Sequence, residues 1–154
     1  LSDKMKIQKA TSEDFEKIVP LFDLYRQFYK HPPDQEAARC FLQERLVKNE
    51  SVIFYAQDPS QATVGFIQLY PSFSSMAMKR LWILNDLFVA PSARRMNIGR
   101  SLLLKAIDYA KETNARGLTL KTAKDNLPAQ RLYESLDWKQ DQRFYSYDIA
   151  VSAI

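Results

Sequence analysis

The chain has 154 residues, 46% hydrophobic and 26% charged, with a formal net charge of +4. That balance suits one globular domain around one core and excludes a disordered or fibrous chain. A single cysteine, Cys40, excludes an internal disulfide, and no apolar run approaches the ~20 residues that a membrane helix needs.

Met5 reads as a natural start, with Leu1 to Lys4 as an extension before it. The N-terminus has no apolar signal core. With one cysteine and no membrane run, the expected location is cytoplasmic. The basic residues are scattered among acidic ones, except where Arg94, Arg95 and Arg100 crowd together. That distribution argues against nucleic-acid binding. It fits a solvated basic surface, or attraction to a small anionic ligand.

Met5 to Lys9 alternates weakly and reads as a short strand. Thr11 offers a helix N-cap, with Asp14 three residues on in a near capping-box arrangement. Phe15, Ile18, Val19, Phe22, Tyr25, Phe28 and Tyr29 follow at helical spacing, and His31-Pro32-Pro33 stops the helix. Asp34 caps a second helix with an apolar stripe of Ala37, Ala38, Phe41, Leu42 and Leu46, and Cys40 is read as core within it.

The period then changes. Ser51 to Ala56 and Thr63 to Tyr70 read as strands around a turn at Asp58-Pro59-Ser60. Pro71 to Ala77 reads as a polar and aromatic loop, and Arg80 to Val89 as a long strand interrupted by Asn85-Asp86. Asn97 to Thr113 is helical again, with Ile98, Leu102, Leu103, Ala106, Ile107 and Ala110 on one face. Gly117 to Thr122 is a strand, Asn126 to Leu136 a short helix with Pro128 in its first turn, and Gln142 to Ile149 a last strand. This order predicts a mixed α/β sheet: a hairpin-linked half, then a strand–helix–strand crossover.

The most informative stretch runs from Leu84 through Pro91 and Arg94-Arg95-Met96-Asn97-Ile98-Gly99-Arg100-Ser101 to Leu103. A strand feeds a tight basic turn, and the turn opens an amphipathic helix. A helix N-terminus leaves backbone N–H groups unpaired and carries partial positive charge, which suits an anion and above all a phosphate. Gly99 lets a ligand approach the backbone, and Asn97 tolerates a positive φ. The turn is neither a P-loop nor a dinucleotide fingerprint, because both need more glycines at fixed spacing. A basic turn that caps a helix without any ligand has the same residues.

The stretch resembles the acetyl-CoA-binding motif of GNAT N-acetyltransferases, Arg/Gln-x-x-Gly-x-Gly/Ala after a strand. Arg94, Asn97 and Gly99 fall on its defined positions, with Asn97 where the family has Gly. Asn126-Leu127-Pro128-Ala129-Gln130-Arg131-Leu132-Tyr133 resembles the family's Asn-x-x-Ala-x-x-Leu/Phe-Tyr signature, followed here by Asp137-Trp138 in place of Gly-Phe. The likeness covers Arg80 to about Tyr147 by motif and Met5 to Tyr70 by element order.

The resemblance implies a GNAT-like single domain over residues 1–154: a central, mostly antiparallel sheet with a parallel crossover and helices on both faces. It implies acetyl-CoA as co-substrate, no metal, and an amine acceptor that is a small molecule or lysine-like. It involves no nucleic acid and no membrane, and dimers are common in the family, so a homodimer is among the expected assemblies. Residues implied to hold the co-substrate are Leu87, Phe88, Val89, Arg94, Arg95, Met96, Asn97, Ile98, Gly99, Arg100, Ser101, Asn126 and Tyr133. Tyr133 is also the implied acid for the leaving thiolate; alone on its helix it would read as a core tyrosine.

Polyamine acetyltransferases of the family carry Leu-Glu-Asp-aromatic-aromatic-Val where this chain has Leu84-Asn85-Asp86-Leu87-Phe88-Val89. Their basic Glu is Asn85 here, which cannot take a proton. Asp86 is the remaining candidate, but strict alternation aims it at the opposite face unless a bulge re-aims it. Expected walls of the acceptor pocket are Tyr25, Tyr29, Phe73 and Asn85, with His31 nearby. A catalytically silent CoA-binding module remains the alternative reading.

Overall fold

Strand β1 (Lys6–Lys9) opens the described part of the chain, which in this computed structural model comprises residues 5–152; Leu1 to Lys4 lie outside it. The N-cap of the first helix is Asp14 rather than the expected Thr11, its side chain makes no capping hydrogen bond, and Thr11 and Asp14 instead close the turn that leads into the helix. The Glu13 N–H donates to Thr11 Oγ1 at 3.3 Å, and the Thr11 N–H donates to Asp14 Oδ2 at 2.7 Å. Helix α1 (Phe15–Phe28) follows and accommodates Pro20 within its second turn. Helix α2 (Gln35–Val47) starts at Asp34, whose side chain accepts from the Ala37 N–H at 3.0 Å. The buried carboxylate of Asp23 ties the two helices together, accepting from the Asp34 N–H at 2.9 Å and from Gln27 Nε2 at 3.2 Å.

The buried positions of α2 are Ala38 and Leu42. Cys40 lies off that face and is exposed, which corrects its reading as core. Two residues along a helix turn a side chain through about 200°, so a neighbour of both buried positions still faces water.

Strands β2 (Val52–Gln57), β3 (Thr63–Ser74) and β4 (Lys79–Val89) form an antiparallel meander, with β1 on the outer edge of β2. β3 runs on through Pro71 to Ser74, where a loop was expected, because Pro71, Ser72 and Phe73 keep their register against Trp82, Leu81 and Arg80. After a short 3-10 turn (Pro91–Ala93), helix α3 (Ile98–Glu112) crosses over to β5 (Leu118–Thr119), which pairs parallel with β4 at Trp82 and Ile83. The sheet order is β1-β2-β3-β4-β5. β5 is anchored by Trp82 N–H to Gly117 O at 3.1 Å and Arg116 N–H to Arg80 O at 2.7 Å, and the α3 end by Trp82 Nε1 to Thr113 Oγ1 at 2.9 Å.

One face of this sheet packs under α1 and α2, where Ile53, Tyr55, Phe66 and Phe88 meet Ile18, Val19, Phe22, Ala38 and Leu42. The other carries α3, with Phe54 and Trp82 against Tyr109 at ring separations of 5.4 and 5.3 Å. The architecture is therefore the expected mixed sheet with helices on both faces.

The chain divides into two compact units, residues 1–121 and 122–154. The second contains helix α4 (Leu127–Ser135), N-capped by Asn126, whose Oδ1 accepts from the Ala129 N–H at 3.3 Å, with Pro128 in the first turn. The expected strand over residues 142–149 forms no ladder within this unit. A strand exists through its partner, and α4 is the unit's only regular element among the described residues.

Gly65 on β3 marks the closest approach of α3 to the sheet. A Cβ there would lie 3.0 Å from Ile98 Cγ2 and 3.3 Å from Leu102 Cδ1, both on buried side chains. Gly65→Ala is therefore expected to cost about 1–3 kcal/mol in a denaturant melt. An unchanged midpoint would show that α3 can move off the sheet without loss.

Candidate active site

The register of β3 against β4 slips between Gln68 and Leu69. Leu69 pairs with Leu84 and Gln68 with Asp86, so Asn85 is an extra residue on β4. This bulge reverses the alternation. Trp82 and Leu84 belong to the α3 face, whereas Asp86 and Phe88 belong to the face under α1, beside Gln68 and Phe66. The bulge needed to re-aim Asp86 is present.

Asp86 is only 6% exposed. Its Oδ2 accepts from Gln68 Nε2 at 2.6 Å and its Oδ1 from Asn85 Nδ2 at 3.2 Å, and the Tyr25 hydroxyl also hydrogen-bonds to it. Burial pushes the carboxyl above the usual carboxylate range, and these three hydrogen bonds pull it part of the way back. All three donors are neutral. Tyr25 is raised in turn, by burial first and then by the Asp86 charge. Tyr70 is pushed up to about 12 by burial and the same charge.

Aromatic rings enclose the carboxylate's surroundings. The Tyr25 ring lies 5.2 Å from Tyr29, 5.7 Å from Phe66 and 5.6 Å from Phe88. A buried negative charge held by neutral donors beside an aromatic cluster is suited chemically to receiving a cation and accepting a proton from it.

Leu87, Phe88 and Val89 finish β4, opposite Ile67, Phe66 and Gly65. On the other side β4 pairs with β5 only at Trp82 and Ile83, so its edge from Leu84 to Val89 carries no β5 ladder. Past the 3-10 turn, Arg95 and Asn97 both take left-handed φ values, 68° and 59°. Asn97 is the N-cap of α3, and its side chain makes no capping hydrogen bond. The first-turn amides at Ile98, Gly99 and Arg100 are left without a side-chain cap, while Ser101 N–H reaches Asn97 O at 3.0 Å. Arg94 folds back along β4, donating from Nε to Val89 O at 3.2 Å, with its guanidinium 5.6 Å from both the Phe28 and Phe88 rings. Met96 is half-exposed between these groups, and Ile98 is buried beneath Gly65.

In the second unit, Gln130 Nε2 donates to Ala123 O and Lys124 O, each at 3.0 Å, fixing the approach to α4. The Tyr133 and Trp138 rings lie 5.8 Å apart, and the Trp138 N–H closes the helix on Tyr133 O at 3.1 Å. Asp137 has φ 68°. Asn97 and Asp137, the two residues standing where the GNAT motifs carry glycine, are thus both left-handed. Asn and Asp are the non-glycine residues best suited to that conformation.

The structure gathers Tyr25, Tyr29, Asn85 and Asp86 in one place. Phe73 stands apart. It pairs with Arg80 at the far end of the hairpin, with that guanidinium 5.1 Å over its ring, five residues along β3 from Gln68, or ~17 Å. His31 lies in the exposed connection between α1 and α2. Gln68 and Tyr70 escaped the sequence reading. The signal for Gln68 was a lone amide in the apolar run Val64 to Leu69.

Residues 18–138 match the model of the acetyltransferase (GNAT) family. An uncharacterised N-acetyltransferase of Bacillus subtilis, YhfO, is 45% identical over 97% of this chain and 99% of its own. A probable acetyltransferase of Haemophilus influenzae is 33% identical over 84% of this chain and 97% of its own. The crystal structure of a probable acetyltransferase superposes with a TM-score of 0.91 at 43% identity, covering 97% of this chain and 99% of that one. No helix among the described residues is long and apolar enough to cross a membrane, and no group of three or more metal-ligating side chains occurs among them. The chain belongs to the GNAT family of acetyltransferases.

Proposed function

We propose that this chain moves an acetyl group from acetyl-CoA directly to a primary amine of a small molecule or lysine-like acceptor. The observation that carries this reading is the Asp86 carboxylate, turned by the Asn85 bulge to the α1 side of the sheet and held there by neutral donors alone. The whole chain, residues 1–154, acts as one acyltransferase domain, a reading supported by a family match that runs through both units. The protein works in the cytoplasm, without metal, membrane or nucleic acid, as a monomer or homodimer.

The residues present fit acetyl-CoA. The uncapped first turn of α3 at Ile98, Gly99 and Arg100 presents amides to a diphosphate, with Arg94, Arg95 and Arg100 adding charge, Met96 and Asn97 shaping the turn and the Ser101 hydroxyl at its end. The unladdered edge of β4 at Leu87, Phe88 and Val89 offers backbone groups to an amide-bearing arm. When bound, acetyl-CoA supplies the activated acyl group as a thioester.

The acceptor arrives as an ammonium. Its charge is drawn to Asp86, with Tyr25 and Tyr29 as ring walls and Asn85 on the rim. Asp86 takes one ammonium proton, and the freed nitrogen lone pair attacks the thioester carbonyl. Burial helps this step by bringing the carboxyl's affinity for protons closer to that of the amine. A backbone N–H of Phe88 or Val89 steadies the carbonyl oxygen as charge builds on it. The carbon–sulfur bond breaks, Tyr133 gives its phenolic proton to the departing thiolate, and the second proton of the new amide nitrogen restores the phenol, so that a neutral amide and a free thiol leave. Asn126 shapes the start of the helix that carries Tyr133.

Thiol release from acetyl-CoA, followed against a panel of amines, tests this reading. Amine-dependent release is expected, falling by at least about tenfold in Tyr133→Phe and in Asp86→Asn. Binding of CoA with no release for any amine would instead favour a silent CoA-binding module.

The same carboxylate sets a pH dependence of stability. Its folded-state affinity for protons is raised, so between the unfolded value near 3.8 and the higher folded one, the native state holds more protons than the unfolded chain. Stability is then lost as pH rises through the folded-state pKa. Asp86→Asn removes that ionisation. The difference in melting temperature between this variant and the wild type is expected to favour the variant more at about pH 8 than at about pH 3, below the unfolded value. An advantage independent of pH would mean that burial does not penalise this charge.

A further inference from the structure

Gln68 is fully buried on β3. Its Nε2 donates to Asp86 at 2.6 Å, while its Oε1 has no partner. An orphaned buried carbonyl destabilises the fold, because it has given up water without gaining a donor. A methionine or leucine in the same space would avoid that cost and suit the buried, largely apolar face that Gln68 shares with Phe66 and Phe88. The amide is therefore held at the expense of stability, and its one bond goes to Asp86.

The surroundings leave few other ways to hold that carboxylate. From α1 it is faced by Tyr25, with Tyr29 beyond, from β3 by Gln68 and Tyr70, and from its own strand by Asn85. Arg94 reaches the Phe28 and Phe88 rings on this face but donates to Val89 O and forms no ion pair with Asp86. Among the three donors, Gln68 makes the shorter of the two measured bonds. It is also the cross-strand partner of Asp86 at the bulge, so the ladder fixes its distance.

We propose that Gln68 is a positioning residue of this site: its carboxamide locks the re-aimed Asp86 carboxylate toward the acceptor amine and holds it in the charged form that attracts an ammonium. The inference rests on the reading of Asp86 as the base, and it assigns the specificity for a cationic acceptor partly to a neutral residue one strand away. Gln68 need not touch the substrate. It acts by giving the charge a hydrogen bond that does not cancel it, as an arginine or lysine at the same place would.

The test uses carboxyl 13C resonances of the full chain, free of ligand, to follow Asp86 in the wild type and in Gln68→Met, which keeps the side-chain length and removes the donor. The Asp86 titration is expected to move upward by roughly one pH unit in the variant. A titration that does not move would overturn the proposal. Should Gln68→Met fail to fold, the wild type still decides. The Gln68 side-chain NH2 resonances must shift in step with Asp86, and an amide blind to that titration would overturn the proposal equally.

Kinetics supply a second readout. On whichever panel amine gives the fastest thiol release, the acid limb of kcat/KM is expected to move up with the Asp86 titration in Gln68→Met. A merely structural role would lower the melting temperature and leave the limb in place. Full turnover by Asp86→Asn would remove Asp86 as the base, whereas the resonance titrations report the Gln68 contact whether or not that happens.

Discussion

The extra residue at Asn85 is the constraint on which the site depends. In an unbroken strand, Trp82, Leu84, Asp86 and Phe88 would all face α3. The bulge divides them. Trp82 and Leu84 stay with α3, and Asp86 and Phe88 turn toward α1. One inserted residue thereby places a carboxylate among Tyr25, Gln68 and Tyr70, and an aromatic ring in the core beneath Phe22 and Phe28. It also interrupts the β3 ladder near the point where β4 and β5 stop pairing, at Ile83. A buried charge and an unladdered edge thus arise within a few residues of each other. Each is unfavourable for folding on its own, as strained functional sites often are.

The opposite face of the sheet must hold the start of α3 steady for the turn before it to have a defined shape. Gly65 does this by admitting Ile98 and Leu102 to the backbone of β3. The turn then rises steeply into the helix, and only left-handed residues at Arg95 and Asn97 let it do so. An L-residue pays roughly 1–2 kcal/mol for that conformation, least for Asn. Because Asn97 spends no side-chain oxygen on capping, the first-turn amides are left for another acceptor.

Much of this was legible in the sequence. The helices showed in their period, and Asp34 and Asn126 announced two starts through the amides that they cap. Asn97 could be read as left-handed because so few side chains tolerate that conformation. Asp86 was legible only conditionally. Alternation aimed it away from α1, and a bulge is a property of two strands together, visible in neither alone. Gln68 was illegible for the same reason, since a lone amide in an apolar strand gains meaning from what lies across the ladder. Cys40 misled because one residue more or less decides which face of α2 a side chain takes. β3 outran its expected end because Pro71 and Ser72 read as loop residues until Trp82 and Leu81 are seen opposite them.

A carboxylate in a pocket can be kept charged by a cation or by neutral dipoles, and the choice decides what the pocket attracts. A partner arginine would satisfy Asp86 and leave the site neutral, with nothing to draw an ammonium from water. Here the donors are an amide on β3, an amide on β4 and a phenol on α1. Each lowers the cost of the charge without cancelling it. The nearby guanidinium of Arg94 is spent on Val89 O and two phenyl rings instead. The uncancelled charge sits at the Tyr25 hydroxyl, and the adjoining Tyr25 and Tyr29 rings favour the same kind of guest. Such a pocket favours a cation until its proton leaves. On the proposed reading, a proton passing to Asp86 would relax the electrostatic grip on the acceptor, and the act that frees the amine to react would also loosen the hold on its product.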